Sequence, residues 1–431
     1  MVLGYHKILE DKMTYLHRQL EDDIKKTIKT RPIVYLNGMR QCGKSTLVQN
    51  LSAANKTNYI TFDDPAQLLF ARNDPKGFLR QMPENKLNII DEVQLAPELF
   101  RYFKIAIDES RLAGKNHAMY VLTGSANIFA LPKLTDALVG RLSVLTLYPF
   151  SASEIKGTGV NFLEKLWSDK MASRKFTRAD LTGLISGATF PEIALDRKKN
   201  RRQWFNDYLT TLLQRDVRSL ADIKNPDNVF RLLVSLSLRA GSLLNNTNIM
   251  NETGLDAKTY EKYKALCSNT FMIFELPSWS KPNKFNKRFI RQKKLYFSDT
   301  CLLCHVLQGD IEEINKNDKS VMGHIFENFI AVEIMKAAKS HGAYNVSHYN
   351  PVQNQGKEVD FVIENPKGKL IGIEVKLDAT INEKDVANML ALKETVGNRF
   401  EKGAIIYTGN ELVQVGRNIW AVPVNYIYTD E

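Results

Sequence analysis

The chain lacks the features that mark secreted and membrane-spanning proteins. Its four cysteines, Cys42, Cys267, Cys301 and Cys304, are too few and too scattered for a disulfide framework. Cys301-Leu302-Leu303-Cys304-His305 has CxxC spacing, but no second pair completes a zinc site, so buried thiols are expected. No apolar run approaches the roughly 18 residues that a membrane helix needs. Met1-Val2-Leu3-Gly4-Tyr5-His6 lacks the basic-then-apolar pattern of a secretory signal. Together these absences point to a cytoplasmic protein with no membrane partner. What is present is ordinary for a globular chain: 431 residues, 44% apolar and 25% charged. That length allows about two to four domains, each with its own core.

A net charge of +11 favours anionic partners, although a lysine-rich surface that keeps the chain dissolved explains the total equally well. Clustering is more informative. Arg197, Lys198, Lys199, Arg201 and Arg202 form one patch, and Lys281, Lys284, Lys287, Arg288, Arg291, Lys293 and Lys294 a second.

The sharpest local signal is Ile33-Val34-Tyr35-Leu36-Asn37 running into Gly38-x-x-x-x-Gly43-Lys44-Ser45, followed by a helix-compatible segment. This is phosphate-binding P-loop spacing between a strand and a helix. Gly38 and Gly43 permit backbone angles that turn the N–H groups of Arg40, Gln41 and Cys42 inward, and the helix carrying Lys44, Ser45 and Thr46 points its positive end at the same anion. Lys44 reaches the β- and γ-phosphates, and the Ser45 hydroxyl meets Mg²⁺. A glycine-rich turn with no ligand is the bland alternative. The strand and helix context favours ATP with Mg²⁺.

Residues 5–29 have the apolar spacing of an amphipathic helix. Strands are expected at 58–62, at 87–90 closing on Asp91-Glu92, and at 120–122 closing on Thr123-Gly124-Ser125. Strands alternating with helices imply an α/β, doubly wound parallel sheet, whose ligands sit at the carboxyl ends of the strands. Asp91 is then placed for the Mg²⁺ shell and Glu92 for polarising water, with Thr123 or Ser125 near the γ-phosphate. Asp63-Asp64 reads equally as a turn or as part of the site.

Residues 229–240, 248–252 and 256–269 read as helices with Gly254 at a turn, and 271–276 and 294–297 as strands. Helix-turn-helix followed by a β-ribbon is a winged-helix pattern. Ala257, Lys258, Tyr260, Lys262 and Lys264, with the basic wing, would face DNA, although such modules also dock protein partners.

The last third holds a second constellation. Glu327 lies early in a helix, Asp360 near the start of one strand, and Glu374 and Lys376 two apart on the return strand, so on one face. Asp360 and Glu374 would hold Mg²⁺, with Lys376 near the attacking water. The set resembles the PD-(D/E)xK nuclease fold.

Residues 38–47, Asp91-Glu92-Val93-Gln94, Thr123-Gly124-Ser125 and Gly140-Arg141-Leu142 through Pro149-Phe150-Ser151 and Glu154 together resemble the bacterial and archaeal AAA+ ATPases with a C-terminal DUF4143 domain. The resemblance covers nearly the whole chain. It implies that Thr123 or Ser125 is a sensor-1 residue and Arg141 a trans-acting arginine finger. The finger requires a homo-oligomer such as a hexameric ring; a salt bridge at the domain edge is the other reading of Arg141. Arg215 is a weaker candidate for a second sensor. Asn88 within an apolar run, the missing proline before Leu295 and Cys301 in place of a glycine depart from the family pattern.

The expected organisation is a P-loop AAA+ core over 1–150, a helical lid over 151–225, a winged helix over 226–310 and a restriction-endonuclease-like α/β domain over 311–431. The expected function is Mg-dependent ATP hydrolysis coupled to DNA binding, with cleavage where the second acidic set is active. The alternative is a regulatory ATPase whose C-terminal domain is a non-cutting binding module.

Overall fold

The computed structural model describes residues 15–53, 57–115, 119–125, 127, 138, 140–168, 171–196, 198–213, 226–280, 292–340, 344–351 and 357–430. Arg197, Arg215, most of the basic wing (Lys281, Lys284, Lys287, Arg288 and Arg291) and the first half of the expected N-terminal helix lie outside the described residues. Within them, that helix runs only from Leu20 to Thr27.

Five strands, β1 Ile33–Gly38, β2 Thr57–Thr61, β3 Leu87–Asp91, β4 Tyr120–Gly124 and β5 Leu142–Leu147, form one sheet in the order β2-β3-β4-β1-β5. All its pairings are parallel. Every residue of β1 is buried, because a central parallel strand is covered on both faces. Val34, Leu36, Ile89 and Val121 enter one core, and their neighbours Ile33, Tyr35, Ile90 and Leu122 enter the other. This is the period-2 alternation of a strand. Asn88, the polar interruption, is buried but satisfied, accepting from Asn58 Nδ2 at 3.0 Å and donating to the Pro83 carbonyl at 3.2 Å. β5 is a fifth strand beyond the four that the sequence pattern predicts.

A second, mixed sheet has seven strands in the order β6-β13-β14-β12-β11-β10-β9. These are β6 Arg174–Lys175, β9 Asn345–Tyr349, β10 Val359–Glu364, β11 Leu370–Lys376, β12 Phe400–Tyr407, β13 Glu411–Gly416 and β14 Ile419–Pro423. β10 and β11 make the expected hairpin, with Phe361 opposite Ile373. β6, from the segment read as a lid, adds an edge strand to this C-terminal sheet.

Between the sheets lie helices Pro226–Ser237, Asn246–Thr253 and Ala257–Asn269, then β7 Ile273–Leu276 paired antiparallel with β8 Lys294–Phe297. Asn245 and Asp256 cap the second and third helices through their side chains, and Gly254 ends the second at φ 68°. Ala257, Lys258 and Lys262 are exposed on the third helix. Tyr260 is not: it is fully buried, its hydroxyl donating to Asn246 Oδ1 at 2.8 Å. Lys264 is tied to Glu261 and Glu275 at 3.3 and 3.4 Å.

One continuous apolar cluster contains Leu47, Phe205, Leu233, Ile330 and Ile373, so the segments share a core. The 22-residue helix Lys319–Ser340 runs through it. No helix among the described residues is long and apolar enough to cross a membrane.

Candidate nucleotide site and a second charged cluster

The loop after β1 is held in a shape that only glycine permits at its start. Gly38 has φ 147°, and a Cβ there would lie 2.0 Å from the Leu147 carbonyl oxygen of β5. Gln41 at φ 60° and Gly43 at φ 96° complete the turn into the helix Lys44–Ala53. Lys44 is buried, and its ammonium donates to the Gly38 and Met39 carbonyls at 3.2 and 2.8 Å. A phosphate oxygen can replace either acceptor, so a small movement of Nζ serves an anion in the cradle. Ser45 is half-buried and Thr46 exposed at the mouth of this helix.

Asp91 and Glu92 close β3 beside the loop. Asp91 is buried and accepts from the hydroxyls of Thr123 and, at 2.8 Å, Tyr59. Glu92 takes the left-handed φ of 58°, its amide donating to Thr123 Oγ1 at 3.2 Å and its carboxylate accepting from Gln94. Gln94 also reaches Ser125 Oγ at 3.2 Å. Burial pushes the Glu92 carboxyl up, against the opposing charge of Lys44. The strand ends thus bring together the loop, Asp91, Glu92, Thr123 and Ser125. A buried ammonium on exchangeable carbonyls, a hydroxyl at a helix start and an adjacent carboxylate fit a nucleoside triphosphate with Mg²⁺.

Arg141 lies elsewhere. Its carbonyl accepts from the Ile33 amide, at the start of β1, and its guanidinium holds Asp108 at 2.7 and 3.0 Å. Since Ile33 pairs with Leu142 and Gly38 with Leu147, Arg141 sits a full strand length, roughly 20 Å, from its own loop.

Arg18 is a residue that sequence reasoning missed. Buried under the loop, it donates to the Cys42 carbonyl at 3.0 Å and the Tyr148 carbonyl at 2.5 Å, and pairs with Glu154 at 3.2 Å. Glu154 also closes a capping box with Ser151. The Phe150-Ser151…Glu154 motif therefore anchors the arginine that braces the loop. Pro191, in Gly187-Ala188-Thr189-Phe190-Pro191-Glu192, adjoins Arg18 there: a Cβ at Gly43 would lie 3.4 Å from Pro191 Cγ and 3.7 Å from Arg18 Nη1.

The C-terminal set converges as well, with an addition. Glu327 from the long helix, Asp360 from β10 and Glu358 just before it surround the ammonium of Lys294 at 3.1, 2.9 and 2.7 Å. Lys294 was read as a wing lysine facing DNA; it is 3% exposed and belongs to this cluster. Burial opposes its charge, but the facing carboxylates, Asp360 foremost, outweigh it and hold Lys294 protonated. Tyr296 donates to Glu327 at 2.7 Å, and the Val375 amide donates to the second oxygen of Asp360 at 3.0 Å. Lys376 pairs with Glu374 at 3.0 Å and Asp385 at 3.5 Å. Glu374 Oε2 is buried without a hydrogen-bond partner among the described residues. Burial first, then the charge of Asp360, pushes the carboxyls of Glu327 and Glu374 up to about 7 and about 8.

A divalent ion does not fit this arrangement as it stands. The Lys294 ammonium already lies between these acids, and among the described residues no three carboxylate, imidazole or thiolate groups converge to hold a metal. Cys301 and Cys304 are thiols that burial pushes up, Cys301 to about 12.

Comparison with known proteins agrees with the P-loop α/β class of the first sheet. An AAA domain model matches residues 30–156, a domain of unknown function, DUF8612, matches 179–313, and another, DUF4143, matches 322–427. The chain is an AAA-domain protein with a C-terminal DUF4143 domain, and its first module is P-loop ATPase-like. The uncharacterized proteins Mb2031c of Mycobacterium bovis and Rv2008c of Mycobacterium tuberculosis are each 23% identical over 407 residues, 94% of this chain and 83% of theirs. Among solved structures, the Walker-type ATPase PABY2304 of Pyrococcus abyssi is 13% identical, covering 68% of this chain and 96% of its own, with a TM-score of 0.43. The Aeropyrum pernix ORC1 protein, solved in complex with DNA, is 12% identical over 70% of this chain and 95% of its own, with a TM-score of 0.26.

Proposed function

We propose that the chain hydrolyses ATP with Mg²⁺ at the loop from Gly38 to Thr46 and couples that cycle to DNA through its C-terminal half. The observation that carries the first part is the convergence of Lys44, Asp91, Glu92 and Thr123 on one sheet edge. The amides of Arg40, Gln41, Cys42 and Gly43 face the phosphates, and Lys44 leaves its two carbonyls for phosphate oxygens. Ser45 and Asp91 hold the metal, which neutralises charge on those oxygens when bound. Glu92 orients and deprotonates water, while Thr123 and Ser125 hydrogen-bond the γ-phosphate or that water. Arg141, remote from its own loop, acts on a neighbour's nucleotide, which calls for a homo-oligomeric ring such as a hexamer.

In this reading residues 1–150 are the AAA+ core, 151–225 a lid, 226–310 a winged helix and 311–431 a PD-(D/E)xK nuclease-like domain. Three helices followed by the β7–β8 ribbon support the winged helix, and exposed Ala257, Lys258 and Lys262 support DNA as its partner. The hairpin that sets Asp360 beside Glu374 and Lys376, with Glu327 on the adjoining helix, supports the nuclease-like assignment. One observation favours a second reading, a regulatory ATPase whose C-terminal module binds a partner without cutting: Lys294 lies inside the acidic set.

The test is ATP turnover by wild type, Lys44→Ala and Glu92→Gln, with duplex-DNA binding followed by anisotropy at two salt concentrations. Turnover absent from both variants, and DNA affinity that falls steeply with salt, are expected. Wild-type turnover no higher than that of Lys44→Ala overturns the ATPase. Salt-independent absence of DNA binding overturns the coupling.

A further inference from the structure

The Lys294 ammonium donates to Glu327 and Asp360 at 3.1 and 2.9 Å and lies 2.7 Å from a carboxylate oxygen of Glu358. Carboxylates are also the side chains that ligate small divalent cations, but here a buried ammonium occupies the position between them. The ammonium is not a flexible surface tail. β8 is held by β7, where Leu276 pairs with Lys294, and by backbone bonds from Leu244 to Lys293 and from Gly241 to Leu295 at 3.0 and 2.8 Å. On the other side, Phe297 donates to Asn328 Oδ1 at 2.8 Å, locking β8 to the helix that carries Glu327.

We propose that Lys294 is the resident cation of the Glu327–Glu358–Asp360 cluster and keeps divalent metal out of the nuclease-like site. This rests on the nuclease-like reading of residues 311–431. A metal ion on Asp360 would sit against a buried ammonium that has nowhere to withdraw, and like charges at such a separation repel strongly in a dry interior. Lys294 is a positioning residue here: it orients Glu327 and Asp360, whereas Lys376 faces Glu374 and Asp385. The site is also composite. Its cation comes from the segment matched by DUF8612 and its acids from the segment matched by DUF4143.

The experiment is Mn²⁺ binding to the nucleotide-free full-length protein, read by electron paramagnetic resonance, in wild type, Asp360→Asn, Lys294→Met and Lys294→Met/Asp360→Asn. Wild type and Asp360→Asn are expected to give the same signal. Lys294→Met is expected to gain one site at least about tenfold tighter than any in wild type, and the double variant to lose it. A wild-type Mn²⁺ site removed by Asp360→Asn or Glu374→Gln overturns the proposal, as does a folded Lys294→Met that gains none. If Lys294→Met does not fold, wild type against Asp360→Asn and Glu374→Gln still decides. DNA anisotropy on the same proteins reports the nuclease-like domain's partner separately, so a DNA-binding protein with a wild-type metal site sinks this inference alone.

Discussion

Lys336, on the long helix Lys319–Ser340, donates to the carbonyl of Phe150 at 2.7 Å, and Phe150 lies just beyond β5, the last strand of the parallel sheet. Glu333, paired with Lys336 at 2.9 Å, accepts from the Ala152 amide at 3.0 Å. The same helix carries Glu327, so one rigid element links the P-loop surroundings to the second charged cluster.

Removing either member of that buried pair is expected to destabilise the whole chain. Lys336→Met leaves Glu333 charged and buried, at a cost of about 3–5 kcal/mol. Lys199→Met, which breaks an exposed pair with Glu192, is expected to cost about 0–1 kcal/mol. Urea titrations of the two variants check the contrast, and equal midpoints refute it.

Arg18 is expected to matter for nucleotide binding although it touches none of the phosphate-facing side chains. Arg18→Lys keeps a charge beside Glu154 but cannot reach both the Cys42 and Tyr148 carbonyls. Loss of one charge-assisted hydrogen bond is worth about 1.5–3 kcal/mol, so ATP affinity should drop by about tenfold or more. Titration with a fluorescent ATP analogue measures it.

The acid limb of ATP turnover is expected to lie above the ordinary carboxylate range. Burial raises Glu92, and a general base works only when deprotonated, so kcat should fall as pH drops through that raised value. A profile flat from neutral to pH 4 would rule Glu92 out as the base.

Stability should run the opposite way from that of most acid-rich sites. Glu327 and Glu374 have folded-state values of about 7 and about 8, above their unfolded values. The folded state therefore binds more protons between about pH 4.5 and 8, and stability is lost as pH rises through that window, by up to about 1.4 kcal/mol per pH unit for each group. Tm measured from pH 5 to pH 8 should fall, and Glu374→Gln should flatten the slope.

Arg141→Ala should reduce ATP turnover by about 10³-fold or more if it acts across a subunit boundary. Asp108→Ala removes the carboxylate that Arg141 pairs with and should spare turnover. Activity of Arg141→Ala equal to wild type at every protein concentration sinks the ring.

Legibility followed sequence distance. Gly38, Gly43, Lys44 and Ser45 were readable because a phosphate cradle is built from consecutive backbone amides, and their spacing is the structure. Asp91-Glu92 and Thr123 were readable because an apolar run that ends in polar residues marks the carboxyl edge of a parallel strand. Asp360, Glu374 and Lys376 were readable because a hairpin with a five-residue turn brings them together locally. Lys294 was not. It sits among lysines that look alike in sequence, and its partners Glu327 and Asp360 lie 33 and 66 residues away. Arg18 was hidden for the same reason, its contacts falling 24, 130 and 136 residues downstream. The sequence by itself determined the nucleotide loop and the hairpin, since both are specified by neighbours along the chain. Only the tertiary structure decided which lysine is buried among acids and which arginine braces the loop, because a charge's surroundings are set by packing between segments that local pattern does not relate.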